Sequence, residues 1–186
     1  MTKKTIILAV ITFVFLLLHH MAAKAQNYIS NSVKTSFFSS TPIEDIKAAS
    51  SKTAAILISK TGEFAFQIRT KSFEFEKKLM QEHFNENYLE SDQYPAATFK
   101  GVMAPIPDWT KNGEYNVTAK GTLTVHGVSK ARNIAAKVLI REGTVNISAA
   151  FDVACADHNI DIPTLVFTKI AKVISVKVNG TLNPKP

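Results

Sequence analysis

Alternation with a period of two runs through most of this chain, and no other feature narrows the fold as much. Tyr115, Val117, Ala119, Leu123 and Val125 alternate with Asn116, Thr118, Lys120, Thr122 and Thr124. Ile134, Ala136, Val138 and Ile140 alternate with Asn133, Ala135, Lys137 and Leu139, and Val145 to Cys155 does so with Asn146, Ser148, Ala150, Asp152 and Ala154. Ile174, Val176 and Val178 near the end and Phe64, Phe66 and Ile68 near the front follow the same rule. Successive side chains on a strand point to opposite faces, so each run has one dry face and one mostly wet face. Antiparallel sheets covered on one side read this way, and parallel sheets do not.

Turn chemistry separates the runs. Glu142-Gly143 joins the Ile134 and Val145 strands, Thr61-Gly62 joins Ala54–Ser59 to Glu63–Thr70, and Asn112-Gly113 precedes the Tyr115 strand. Glycine at such pairs supplies positive φ. One segment breaks the period: Glu76 to Glu86 predicts a short helix with Leu79, Met80, His83 and Phe84 near one side. The proline-bearing stretches Ala104–Asp108 and Asp161–Pro163 read as loops or strand starts. About eight strands each carry an apolar face, and no long amphipathic helix exists to cover it. The sheet must fold onto a second one or close on itself.

An eight-stranded barrel has an interior that side chains just fill, or that holds one ligand. All but two of the 12 Phe lie after residue 25. Inward Phe beside the small Ala119, Gly121, Ala136 and Ala149 leaves an elongated apolar space in one packing and a filled core in the other. The pattern alone does not separate the two.

The first residues point to export. Lys3 and Lys4 precede the apolar run Ile6–Leu18, broken only by Thr12, and Ala23-Lys24-Ala25 forms an A-x-A exit. These are the parts of a secretory signal peptide, and the run is shorter than the ~20 residues of a comfortable membrane span. We therefore assign residues 1–25 as a leader and 26–186 as one domain of ordinary size. No stable membrane span is expected after cleavage, and the destination is periplasmic or secreted.

The 22 basic residues, less Lys3, Lys4 and Lys24 of the leader, face 15 acidic ones, and the charges are scattered. This is not a nucleic-acid footprint. Cys155 is the single cysteine, so no internal disulfide forms. It continues the apolar face of Val145 to Val153 and reads as a small buried hydrophobe; a redox thiol or an intermolecular bridge is the sharper alternative.

Three strings occur in order: Met80-x-x-His83-Phe84, Tyr94-Pro95-x-x-x-Phe99-Lys100-Gly101, and Gly121-Thr122-Leu123-Thr124-Val125-His126-Gly127-Val128-Ser129-Lys130. Asp157-x-x-Ile160 and Lys169-Ile170-Ala171 follow them. Together they resemble the YceI-like family of exported, lipocalin-like proteins that bind polyisoprenoid lipids, over roughly Ser32 to Leu182. The most specific piece is the Gly121–Lys130 hairpin. The resemblance implies an all-β, eight-stranded antiparallel lipocalin-like barrel with one short helix and an apolar tunnel for an isoprenoid lipid or quinone. Two positions depart from the family pattern. The first strand reads Ser32-Val33-Lys34-Thr35-Ser36-Phe37 where many members are rich in His, and His158 stands where an aromatic residue is more usual.

The inward set nominated for the ligand is Phe64, Phe66, Ile68, Phe99, Val117, Leu123, Val125, Phe151 and Val153. His83, His126 and Trp109 are the headgroup or rim candidates. The expected partner is an apolar small molecule; nucleic acid is not expected, and a homodimer is compatible with the sequence. Catalysis has little support, since no G-x-S-x-G, H-E-x-x-H, P-loop or paired-Cys motif occurs. Two rival readings stand beside the carrier: a filled structural or stress-response barrel, and a metal site built from His83, Glu86 and His126 or His158. Simpler roles for the first two of those histidines are a hydrogen bond fixing the helix for His83 and a turn contact for His126.

Overall fold

The computed structural model describes residues 26–162 and 170–185. The leader assigned to residues 1–25, and Pro163 and Lys169 of the later motifs, lie outside them.

Eight long strands form the wall: β1 (Asn27–Ser40), β2 (Asp45–Ile58), β3 (Glu63–Arg69), β5 (Ala96–Ala104), β6 (Gly113–Val125), β7 (Val128–Arg141), β8 (Thr144–Ala154) and β9 (Val173–Pro184). A two-residue strand, β4 (Glu74–Phe75), adds to β2. The ladder runs β1-β9-β8-β7-β6-β5-β3-β2, and β2 pairs again with β1, closing the ring. Every pairing is antiparallel. The expected closed barrel with one short helix is the fold.

Two hairpins show why the chain turns where it does. Glu142 and Gly143 take φ of 50° and 75°, and His126 and Gly127 take 50° and 71°. Positive φ at both central residues matches the twist of the flanking strands. Asn112-Gly113 makes no hairpin: Gly113 opens β6 after a loop from β5.

Register stacks the inward side chains in rows around the barrel. Ile140 pairs with Val145 and Val145 with Leu182 at one end; Val138 pairs with Ile147 above them. Next come Val117–Ala136–Ala149–Val178, with Thr35 of β1 opposite Val178. Beyond that waist lie Phe151–Val176–Phe37 and then Val153–Ile174. The first end is packed solid: Val33, Leu57, Val138, Ile140, Val145 and Leu182 are each at most 2% exposed. Tyr28 and Trp109 join that core, with ring centroids 5.7 Å apart, and the indole N–H donates to the Ser59 carbonyl at 2.9 Å. The loop carrying Trp109 is stapled nearby. Thr110 donates from its hydroxyl and backbone N–H to Asp108, and Lys111 adds an ion pair at 3.0 Å. Those contacts, the Thr110 hydroxyl first, hold the Asp108 carboxyl down at about 2.

Two glycines let the wall curl. Gly101 of β5 faces Gly121 of β6. A Cβ on Gly101 would sit 2.0 Å from the Lys120 carbonyl oxygen, and one on Gly121 2.3 Å from that of Lys100. Glycine inside a strand often marks such a close backbone approach.

At the other end the strands part. β7 and β8 pair only from Ala136–Ala149 to Arg141–Thr144, and Arg132 reaches across the split to the Asp152 carbonyl. The segment after β4 covers part of this end. The helix, α1, spans only Lys78–His83, and a wider π turn carries the coil on to Tyr88. The α-helix thus lies inside the expected Glu76–Glu86, while the coil as a whole begins at Lys78 and ends at Tyr88. Tertiary packing explains the coil, because six α-helical residues are too few to be stable alone. Phe84 anchors it among Phe37, Phe73 and Phe75, at centroid separations of 5.0–5.7 Å.

Candidate functional site: an apolar cavity in the barrel

The barrel is hollow. A cavity of about 610 Å³ runs along its interior, within the 300–1,000 Å³ usual for small-molecule sites. Interior residues report the void directly. Phe99, Val125, Ala136, Ile147, Ala149, Phe151, Val153, Ile174, Val176 and Val178 all point inward, yet each is only half-buried. A filled core would bury them as fully as Leu57 or Leu182. The waist explains the space, because Ala136 and Ala149 leave room where larger side chains would meet.

The structure places all nine nominated residues on this wall: Phe64, Phe66, Ile68, Phe99, Val117, Leu123, Val125, Phe151 and Val153. Phe64 packs against Phe66 and Phe99 at 5.8 and 5.1 Å. Several further wall residues come from elements that the period-two pattern does not reach. Phe37 lies on the serine-rich β1, Phe73 and Phe75 flank and occupy β4, and Met80, Phe84 and Tyr88 come from the covering segment. Met80 and Phe84 were legible from the side they share on the expected helix; for Phe37, Phe73, Phe75 and Tyr88 the only sequence signal was apolar character.

Deep polar groups on the wall already have partners. The Thr35 and Thr53 hydroxyls bond each other at 2.8 Å, and both are buried. Thr70 donates to the Tyr94 carbonyl, and the Ser39 hydroxyl accepts from the Ala171 N–H. These bonds leave the inner wall few free groups with which to hold a polar guest. Charge gathers at the mouth instead, where Lys77 and Glu44 pair at 2.9 Å. Leu79 lines the cavity and is also 62% exposed, so the apolar wall runs out to solvent there.

The three rim candidates separate. His83 lines the mouth from the last turn of α1 and is exposed, with no bond fixing the helix among the described residues. Trp109 is not at the mouth: its indole is drawn to the Ser59 carbonyl and closes the opposite end. His126 is at the mouth end but off the cavity wall. Its Nε2 lies 2.7 Å from Glu90 Oε2 and its Nδ1 3.1 Å from the His158 carbonyl oxygen. Tyr94 packs edge-on against its ring at 4.5 Å. His126 thus pins the segment after α1 to the β6–β7 turn.

His158 is fully buried and meets the Val128 carbonyl through Nδ1 at 3.0 Å; its Nε2 has no partner among the described residues. Among the described residues, no group of three or more His, Cys, Asp or Glu side chains is placed to hold a metal ion.

Cys155 follows β8 and lines the cavity, buried as the alternation implied. Burial pushes its thiol above the ordinary 9.0, and thiolate is the reactive form. Alkylation by iodoacetamide is therefore expected to be at least ~10-fold slower in native than in urea-unfolded protein at pH 8, rising only above pH 9. Equal rates would show an open thiol. The stability that the buried neutral thiol lends is whole below the unfolded pKa and is lost as pH rises through the folded one.

A family model, the YceI-like domain, matches residues 19–182. No curated protein matches the chain. Among solved structures, a polyisoprenoid-binding domain from Saccharophagus degradans implicated in plant cell wall breakdown is similar with a TM-score of 0.74 and 15% identity. The match covers 87% of this chain and 100% of that one. BcnA from Burkholderia cenocepacia is similar at 0.67 and 20% identity, over 80% and 95% of the two chains. A YceI protein from Campylobacter jejuni follows at 0.56 and 16% identity, over 73% and 81%. At these identities the likeness speaks to the fold.

Proposed function

The chain belongs to the YceI-like domain family, and from that premise we propose that its barrel binds an isoprenoid-type lipid or quinone and carries or sequesters it in the cell envelope. The observation that supports this most is the hollow interior: half-buried inward side chains around about 610 Å³ of apolar space. A filled structural barrel would lack that space. The similar domain from Saccharophagus degradans binds polyisoprenoids. Burial supplies the affinity, since apolar surface removed from water contributes about 25 cal/mol per Å². The nine nominated wall residues would meet the tail. His83, Lys77 and Glu44 stand where a polar head would emerge, while the contacts of Trp109 and His126 point them to structural roles. In this reading the protein is a binder rather than an enzyme.

We also infer export, with residues 1–25 as a cleaved leader and 26–186 as the working domain. Lys3 and Lys4, the apolar run and Ala23-Lys24-Ala25 support it. No helix among the described residues is long and apolar enough to cross a membrane.

One experiment tests both readings. Native mass spectrometry of protein secreted by a bacterial host is expected to show a polypeptide starting at Gln26 with one lipid of isoprenoid mass attached. Retention of residues 1–25 would reject the leader. Absence of any lipid, together with no saturable uptake of an apolar dye, would reject the carrier.

A further inference from the structure

We infer that the closed end and the limited volume of the cavity measure the guest's tail, accepting about five isoprene units and leaving any excess outside. This rests on the lipid reading above. An engineered cavity of roughly 150 Å³ in another protein takes up one benzene, six carbons. At that packing, about 610 Å³ holds about 24 carbons.

Among the described residues, nothing at the far end lets a longer chain through. Leu57, Val138, Ile140, Val145 and Leu182 are buried there at 0–2% exposure, and the Tyr28–Trp109 pair stands behind them. The wall cannot give locally without cost, because these side chains interdigitate in rows fixed by the strand register. The free space reaches past the Val117–Ala136–Ala149–Val178 row to Ile147, Val138 and Leu182, and in that row two alanines pair across β7 and β8. Ala149 is thus the position at which a larger side chain would shorten the space from within.

The test transfers all-trans prenyl alcohols of 10, 15, 20, 30 and 40 carbons from phosphatidylcholine vesicles to purified, delipidated protein. A bilayer buries the whole tail at every length, so the comparison cancels ordinary hydrophobicity and exposes only what the cavity leaves wet. Transfer is expected to stay level through 20 carbons. It should fall at least about tenfold by 40 carbons, a difference of ~1.4 kcal/mol. Ala149→Phe should move the break to 15 carbons or fewer with the barrel still folded by circular dichroism. Ala149→Leu, a smaller insertion, should give an intermediate break and serves if the Phe variant does not fold. Equal transfer of the 20- and 40-carbon alcohols would overturn the ruler and leave the lipid reading standing. So would a break that neither variant moves. No transfer at any length would overturn both.

Discussion

Replacing Gly101 with valine is expected to abolish the folded barrel. Even the first carbon of a side chain there would lie 2.0 Å from the Lys120 carbonyl oxygen and 2.5 Å from the Gly121 Cα. Both obstacles are backbone, so no rotamer change relieves them. Overpacking a core against movable side chains costs about 1–3 kcal/mol, and a clash with two hydrogen-bonded strands should exceed that. A domain of this size has only about 5–15 kcal/mol of stability to lose. Circular dichroism and size-exclusion chromatography of Gly101→Val should show unfolded or aggregated protein. Gly101→Ala should fold, if at all, with a melting temperature well below that of the parent. A Gly101→Val protein that melted like the parent would show that β5 and β6 do not approach this closely.

Phe64→Ala carries the second large effect, and its size should depend on the guest. Phe64 is 5% exposed, packs on Phe66 and Phe99, and belongs both to the closed-end core and to the cavity wall. Truncating a buried Phe costs about 3–5 kcal/mol through lost burial and the space left behind. Here that space opens into an existing cavity, where an apolar guest can settle into it. The lipid-free variant should therefore lose about 3 kcal/mol or more in urea titration. The loaded variant should lose less, because a guest that binds only the folded state raises its stability. Equal losses in both states would place Phe64 out of the guest's reach.

Much of the fold was legible in residues 113–154, where three alternating runs are separated by tight turns. That stretch became β6, β7 and β8 with the expected faces inward. The front of the chain was harder for a physical reason. β1 carries register shifts between Ser30 and Val33 and between Val33 and Thr35, so its inward set switches from Tyr28 and Ser30 to Val33, Thr35 and Phe37. A bulge changes which side chains face in, and a strict period of two cannot follow it. Two buried serines of these strands bond to other elements, Ser50 to Ser72 at 2.8 Å and Ser39 to the Ala171 N–H at 2.9 Å.

The cavity wall divided in the same way. Its regular half, Phe64 to Val153, followed from alternation. Its irregular half, Phe37, Phe73, Phe75 and Phe84, was assembled by a bulge, a two-residue strand and a π turn, none of which has a period to detect. Trp109 shows the limit of composition most clearly. A tryptophan beside proline reads as either a rim contact or an anchor, and only the Ser59 carbonyl decides that it is an anchor.

That anchor has a consequence for traffic. With Trp109 and Tyr28 sealing the far end, the described residues leave the vessel a single doorway, and any cargo of the proposed carrier would leave tail-last by the route it came. For such a carrier, donor and recipient could not both hold the cargo through opposite openings, and delivery would be a relay of visits to the same threshold rather than a flow from one end to the other.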